Sequence, residues 1–173
     1  MENKNKVRKM IFAALLTAIS VIIPLQFGFL KIYLGPFTAT VGAHVPMFLA
    51  MLISPAVAAF VGIGSSLAFF LTSGPVIGAR ALSHIVAGYV GAKIFIKTDD
   101  IKKAILFTAP VHGILEALVV LPFGYTFTDG ALIVLVGTII HHLIDGSVAM
   151  VISKSLAKAR GKEIKEIFLE KAS

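Results

Sequence analysis

Six long apolar segments follow one another along this chain and constrain its fold more than any other feature. A helix needs roughly 20 apolar residues to cross the hydrocarbon core of a bilayer. Six segments reach or approach that length: residues 7–27, 38–53, 56–72, 76–96, 101–122 and 130–153. The sequence therefore predicts an all-α integral membrane protein, a six-transmembrane-helix bundle that forms a single domain over residues 1–173.

The composition agrees with a membrane location. Hydrophobic residues make up 57% of the 173 residues and charged residues only 14%, against about 25% charged residues in soluble domains. A soluble domain with so little surface charge would aggregate, so we expect a multi-pass protein of the cell membrane. The absence of cysteine excludes disulfides and thiolate metal ligands.

The positions of the charges explain the net charge of +7. Short cytoplasmic loops carry an excess of Lys and Arg, and six spans place both termini on the same side. That side would hold fourteen of the sixteen basic residues: Lys4, Lys6, Arg8, Lys9, Lys93, Lys97, Lys102, Lys103, Lys154, Lys158, Arg160, Lys162, Lys165 and Lys171. Only Lys31 and Arg80 fall in the outer half. We therefore expect both termini in the cytoplasm, a cytoplasmic tail over residues 156–173, and no nucleic-acid partner.

Ionisable residues inside the predicted spans are candidates for function, because each costs roughly 2.5–3.5 kcal/mol on insertion. Three spans carry them as pairs four residues apart: Arg80 with His84, His112 with Glu116, and His141 with Asp145. Their depths in the spans predict that one outward-facing pocket contains Arg80, His84, His44 and Glu116. The deeper pair on the sixth span is interpreted as a hydrogen-bonded tie between this helix and a neighbour.

Two aromatic side chains in the predicted outer loops, Tyr33 and Tyr125, lie beside this pocket. A ring with a hydroxyl group suits stacking on a small aromatic ligand, so both are predicted to bind substrate. No metal site is predicted. Although His and carboxylate ligands suit transition metals, the chain contains no His-Glu-x-x-His motif, and a His-x-x-x-Asp spacing alone is weak evidence.

Ala14 and Ala18 lie four residues apart on the first predicted helix. Small residues mark helix–helix interfaces in membranes, so this face packs either inside the bundle or against another membrane protein. The chain lacks a Gly-x-x-x-x-Gly-Lys-Ser/Thr phosphate loop, so we do not expect it to hydrolyse ATP itself.

Over essentially its whole length the chain resembles the substrate-binding S components of energy-coupling factor (ECF) transporters. The size, the six spans, the long first outer loop and the Ala14-x-x-x-Ala18 spacing all match that family. Four stretches resemble the niacin-type members: Gly35-Pro36-Phe37-Thr38, His44-Val45-Pro46, Ile53-Ser54-Pro55-Ala56-Val57 and Arg80-Ala81-Leu82-Ser83-His84. The metal-transporting members begin with Met-His, whereas this chain begins Met1-Glu2-Asn3.

This resemblance implies a transport protein rather than an enzyme, one that captures a small vitamin, niacin in the first instance. It also implies that Ala14 and Ala18 contact a transmembrane coupling subunit. Two cytoplasmic ATPase subunits would hydrolyse ATP, so the chain would need no cofactor and no catalytic residue of its own.

The side chains of the predicted pocket suit nicotinate. The planar guanidinium of Arg80 matches a carboxylate, and His44, His84 or Glu116 could address the ring nitrogen. Other ligands stay open, namely pantothenate or a pyrimidine. A different class also stays open, a stand-alone proton-coupled carrier with a relay formed by His112, Glu116, His141 and Asp145.

Overall fold

A computed structural model describes residues 2–168, and these residues are mostly helical. Eight α-helices run in chain order: α1 (Glu2–Gln26), α2 (Val45–Met51), α3 (Pro55–Ser73), α4 (Pro75–Ala81), α5 (Ser83–Thr98), α6 (Ile101–Val120), α7 (Leu132–Arg160) and α8 (Ile164–Phe168). Two strands, β1 (Lys31–Leu34) and β2 (Phe37–Thr40), form an antiparallel hairpin between α1 and α2. The predicted helical architecture is confirmed, with this hairpin as an addition that the sequence analysis missed.

Four of the described helical segments are long and apolar enough to cross a membrane: Asn3–Gln26, Pro55–Ser73, Ile101–Phe123 and Phe127–Arg160. They correspond to the first, third, fifth and sixth predicted spans. The second and fourth predicted spans are not continuous helices, and both depart from helix close to the polar residues of the candidate site.

The prediction of a helix over residues 38–53 is wrong for its first half. This segment consists of β2, a turn and the short helix α2. Gly35 reverses the chain between the two strands at a φ of +56°, which glycine adopts without steric cost. Non-helical backbone is tolerated at membrane depth only where the protein supplies hydrogen bonds. Here Asp145 supplies them, accepting from the backbone amides of Gly42 at 2.7 Å and His44 at 3.0 Å.

The prediction of one helix over residues 76–96 is wrong at Leu82, where α4 ends and α5 begins. The amide of Ile85 donates to the Leu82 carbonyl at 3.1 Å, a three-residue spacing that tightens the helix locally. The hydroxyl of Ser83 donates to the Arg80 carbonyl at 2.7 Å. Arg80 and His84 therefore belong to different helices rather than to one helical face.

The short helix α2 occupies the centre of the bundle. Its buried side chains include Phe48 and Met51 at 0% and 1% exposure, and Gly91 on α5 leaves the space that Met51 fills. The break between the second and third predicted spans lies at Ser54-Pro55, where α3 begins at Pro55 and the Ser54 hydroxyl accepts from the Val57 amide at 3.2 Å. This packing fixes the position of His44, which immediately precedes α2.

The two chain ends lie at the same end of the bundle. Arg8 donates to the Ile167 carbonyl at 2.7 Å, and Lys165 lies 3.3 Å from Asp99 in the connection between α5 and α6. The hairpin follows the opposite end of α1. The predicted tail from residue 156 begins as the last turn of α7 and continues into α8. Its residues 169–173, with Lys171, lie outside the described residues.

Candidate functional site

Eight ionisable side chains meet in the interior of the bundle, and each is at most 8% exposed. They are Arg80, His44, His84, His112, His141, His142, Glu116 and Asp145. The His44 ring lies at the centre, with ring centroids 4.8 Å from those of His84 and His112 and 4.4 Å from that of His141. We call the five histidines with Glu116 and Asp145 the histidine cluster. Helices α5, α6 and α7 and the turn before α2 contribute to it.

Arg80 forms a buried ion pair with Glu116. Its Nε and Nη2 atoms donate to Oε2 of Glu116 at 3.0 and 2.5 Å, and the Thr138 hydroxyl donates to the same oxygen at 2.6 Å. Arg80 Nη1 donates to the Pro36 carbonyl at 3.0 Å, while the guanidinium carbon lies 5.5 Å from the centre of the Phe37 ring. The arginine therefore joins α4, α6 and the tip of the hairpin.

The second carboxylate oxygen of Glu116 faces two histidines. Oε1 lies 3.2 Å from Nε2 of His112 and 4.0 Å from Nε2 of His84. The other ring nitrogens of these histidines have their own partners. Nδ1 of His84 shares a hydrogen bond of 3.1 Å with the Ser65 hydroxyl, and Nδ1 of His112 shares one of 2.9 Å with His142. Both rings are thus oriented by neighbours on the side away from Glu116.

Asp145 connects α7 to the turn before α2. Besides the two backbone amides that it accepts from, its Oδ2 lies 3.1 Å from Nε2 of His141 and 3.2 Å from Nδ1 of His44. His141 Nε2 also donates to the Thr40 carbonyl at 3.1 Å. The pair on the sixth predicted span is therefore the tie to a neighbouring element that the sequence indicated, and the neighbour is the end of the hairpin.

A small cavity lies beside Arg80 under the hairpin. Its solvent-accessible volume is about 30 Å³. This is enough for a few water molecules, since one water needs roughly 10–15 Å³. Its walls come from the hairpin, the following turn and helices α3 to α7: Lys31, Thr38, Ala39, Thr40, Ala43, His44, Phe69, Ile77, Arg80, Ala81, His84, Glu116 and His141.

The structure brings four of the six predicted substrate-binding side chains together around this cavity, namely Arg80, His84, His44 and Glu116. Tyr33 and Tyr125 are not part of its wall. Tyr33 is 66% exposed on β1, and Tyr125 is 36% exposed in the connection after α6. Their role in binding stays a prediction.

Two ionisable residues of the cavity wall were not predicted as part of the site. Lys31 lines the cavity and donates to the Ser73 hydroxyl at 3.0 Å. The signal for it was present, because Lys31 and Arg80 are the two basic residues assigned to the outer half of the spans. His141 was assigned to a deeper position, but the hairpin descends far enough for its end to reach this histidine.

Comparison with known proteins identifies one family. The niacin transporter NiaX of Lactococcus lactis subsp. cremoris (strain MG1363) is 35% identical over an alignment of 173 positions, which covers 90% of this chain and 78% of the relative. The chain belongs to this family, the niacin-type S components of ECF transporters. Together with the four apolar helices, membership makes it a multi-pass protein of the cell membrane. No protein-family model matches the chain, and no solved structure matches it.

Proposed function

We propose that this protein is the substrate-binding S component of an ECF importer and captures nicotinate for uptake. The observation that carries the proposal is a cavity lined by two cationic side chains, Lys31 and Arg80, in a member of a niacin transporter family. Nicotinate is a small planar anion with one carboxylate. Cationic groups in the wall of a small cavity favour such a ligand, since a few polar groups fix the orientation of a bound small molecule. The role is transport, with no catalytic residue.

The guanidinium of Arg80 is the proposed carboxylate anchor. Two of its nitrogens pair with Glu116, whereas Nη1 donates to the Pro36 carbonyl at the hairpin tip. A carboxylate is a stronger acceptor than a neutral carbonyl, because charge-assisted hydrogen bonds are roughly twice as strong. The ligand carboxylate therefore takes the place of the Pro36 carbonyl, and Lys31 on the hairpin pairs with it once the hairpin has closed again.

Binding on this scheme requires the hairpin to move. The cavity of about 30 Å³ is too small for nicotinate, which has about nine heavy atoms. The hairpin covers the cavity and carries both the Pro36 carbonyl and Lys31, so its outward movement frees Arg80 and widens the space in one step. His44 or His84 then faces the ring nitrogen, since an imidazole can donate or accept a hydrogen bond. Tyr33, on the same hairpin, and Tyr125 are proposed to stack on the ring once it is bound.

Calorimetric titration of the detergent-purified protein tests the proposal. We expect nicotinate to bind at least 100-fold more tightly than nicotinamide, which lacks the carboxylate. Arg80→Ala should lower nicotinate affinity at least 100-fold. Arg80→Lys should lower it at least tenfold, because an ammonium does not reproduce the bidentate fork. Arg160→Ala, at the far end of α7, is the matched control and should bind like the parent. Equal nicotinate affinity in all three variants would exclude Arg80 as the anchor.

We propose that the chain crosses the membrane six times with both termini in the cytoplasm. The hairpin with α2 provides the second crossing, and α4 with α5 provides the fourth. Support comes from the two chain ends and the α5–α6 connection, which lie at the same end of the bundle. Arg8 near the N-terminus contacts Ile167, and Lys165 in the tail contacts Asp99 in the connection. Most of the Lys and Arg residues belong to these segments, and such segments face the cytoplasm. A cysteine introduced at Lys4 should react with an impermeant maleimide only from the cytoplasmic side of the membrane. A cysteine introduced at Tyr125 should react only from the outer side.

The proposed partner face is on α1. Ala14 and Ala18 are both exposed, whereas Ala13 and Leu16 on the other side of the helix are buried. An exposed small-residue face lets another helix approach closely. We propose that it receives the transmembrane coupling subunit, and that two cytoplasmic ATPase subunits hydrolyse ATP for the complex.

Ala14→Trp tests this face. The indole would project into the proposed interface without entering the core, so nicotinate binding should be unchanged while co-purification with the coupling subunit falls at least tenfold. Leu106→Trp is the matched control, since Leu106 is 59% exposed on α6, and it should assemble normally. Normal assembly of Ala14→Trp would exclude this face.

A further inference from the structure

Part of the histidine cluster has the composition and spacing of a metal site. Four buried groups each bring one ligand atom within 4.8 Å of the other three, and they are His44, His84, His112 and Glu116. We call them the four-ligand site. Three imidazole nitrogens with one carboxylate oxygen form a donor set that suits divalent zinc and its neighbours in the first transition row rather than magnesium or calcium. Local sequence motifs could not reveal it, since the ligands come from three separate elements.

The hydrogen bonds around His112 indicate where a cation belongs. The Ile105 carbonyl can only accept, so Nε2 of His142, 3.2 Å away, carries a proton. Nδ1 of a neutral His142 then accepts from Nδ1 of His112 at 2.9 Å. This leaves the lone pair of a neutral His112 on Nε2, which has no hydrogen-bond partner among the described residues. That nitrogen lies 3.2 Å from Oε1 of Glu116. Two acceptors this close need a cation between them.

The net charge of the histidine cluster also favours a bound cation. Two carboxylates are buried here, and Arg80 is paired with Glu116. Among the residues that the structure describes, the ion-pair partners of Asp145 are the imidazoles of His44 and His141. With neutral rings the histidine cluster and Arg80 together carry one net negative charge, because Lys31 in the cavity wall pairs, within the described part of the chain, with the Ser73 hydroxyl and not with a carboxylate. Burying that charge is costly without a nearby positive charge.

We propose that the four-ligand site binds one divalent transition metal ion of the zinc type. Tetrahedral zinc with ligands at about 2.1 Å places neighbouring ligand atoms roughly 3.4 Å apart. The 3.2 Å between His112 and Glu116 already fits this spacing, whereas the 4.0 Å between His84 and Glu116 and the longer separations, of up to 4.8 Å, must shorten when the ion binds. Ser65 on His84, His142 on His112 and Asp145 near His44 orient the rings, as outer partners do in zinc proteins.

The metal ion would also act on the substrate, a consequence that rests on the proposed function. His44, His84 and Glu116 line the cavity, so the ion would lie against the bound ligand. Because His44 and His84 would then be metal ligands, the ion itself would replace them as the group that faces the ring nitrogen. The ion would add two positive charges to a cavity wall that already contains Arg80 and Lys31, which favours an anionic ligand. A zinc site can also expand from four to five ligands. Metal binding should therefore raise the affinity for nicotinate at least tenfold.

Metal titration without substrate tests the site itself. Tag-free protein, treated with a chelator and dialysed, is titrated with Zn²⁺ by calorimetry and with Co²⁺ by visible absorption. We expect one ion per chain and a Co²⁺ spectrum of tetrahedral type, with no binding of Mg²⁺ at the same concentrations. Failure of the parent protein to bind one equivalent of either transition ion would overturn the proposal, and a proton between His112 and Glu116 would be the cation instead.

Matched variants locate the ion. His112→Gln and Glu116→Gln should each weaken Zn²⁺ binding at least 100-fold, whereas Asp129→Asn, an exposed carboxylate in the connection before α7, should bind like the parent. Circular dichroism verifies the fold of each variant, and the parent titration decides alone if a variant does not fold. Parent-like Zn²⁺ affinity in both folded ligand variants would place the ion elsewhere and overturn the site.

Nicotinate titrations with and without Zn²⁺ separate this inference from the proposed function. Tighter nicotinate binding in the presence of Zn²⁺ supports the link between ion and substrate. Equal affinity in both conditions would overturn that link and leave the metal site standing. If Zn²⁺ binds as expected and nicotinate binds in neither condition, the proposed function fails while the metal site is retained.

Discussion

The two buried carboxylates of this bundle are stabilised in different ways. Glu116 accepts three hydrogen bonds on one oxygen, two from the guanidinium of Arg80 and one from Thr138. Asp145 accepts from two backbone amides and faces two imidazoles. One negative charge thus has a permanent cation, and the other is held by dipoles and by groups whose charge can change.

The two carboxylates contribute differently to the structure. The Glu116 pair connects α4 to α6, and it places a guanidinium at the wall of a cavity in a protein with few interior charges. Asp145 accepts hydrogen bonds from the backbone amides of the non-helical turn before α2, because a membrane protein cannot leave such amides without acceptors. One carboxylate therefore positions a side chain of the proposed substrate site, and the other allows the chain to leave helical structure inside the bundle.

The largest expected effect comes from breaking the permanent pair. Arg80→Met removes the cation and leaves Glu116 buried without a full countercharge, which should lower the free energy of unfolding by about 3–5 kcal/mol. Denaturation in detergent micelles, followed by circular dichroism, measures it. The double variant Arg80→Met with Glu116→Gln should recover most of the loss. If the double variant is as unstable as the single variant, the contacts of Arg80 to the hairpin would be the main source of stability.

A smaller effect is expected at the carboxylate that has no permanent cation. Asp145→Asn retains the shape but turns one oxygen into an amide group that opposes a backbone donor at Gly42 or His44. We expect a loss of about 2 kcal/mol in the same denaturation measurement. Asp129→Asn is the exposed control and should stay within about 0.5 kcal/mol of the parent. A loss equal to that of Arg80→Met would remove the distinction between the two carboxylates.

The smallest effect should follow loss of one neutral donor to the paired carboxylate. Thr138→Val preserves the shape of the side chain and removes the hydroxyl that donates to Glu116. Because Arg80 still donates twice to the same oxygen, no charge is left unpaired, and we expect a loss of about 1 kcal/mol. Nicotinate affinity should change less than threefold. A loss above that of Asp145→Asn would indicate that the hydroxyl, and not the guanidinium, stabilises Glu116.

Much of the site could be predicted from the sequence because ionisable residues are rare inside apolar segments. The meeting of Arg80, His84, His44 and Glu116 followed from their depths in the predicted spans, and the cavity wall confirms that they converge. The part that could not be predicted depends on broken helices. The separation of His141 from this group assumed a continuous second helix, whereas the hairpin brings the Thr40 carbonyl to that histidine.

The apolar segments by themselves determined the helical membrane architecture, because a bilayer imposes its demands on length and hydropathy locally along the chain. The points at which the second and fourth segments leave helical geometry depend on the tertiary structure. Their free amides and carbonyls are satisfied by partners that pattern does not reveal, as when Asp145 accepts from the amide of Gly42, 103 residues earlier in the chain. The five histidines meet for the same reason, since each reaches the cluster only when its own element has been positioned by the others.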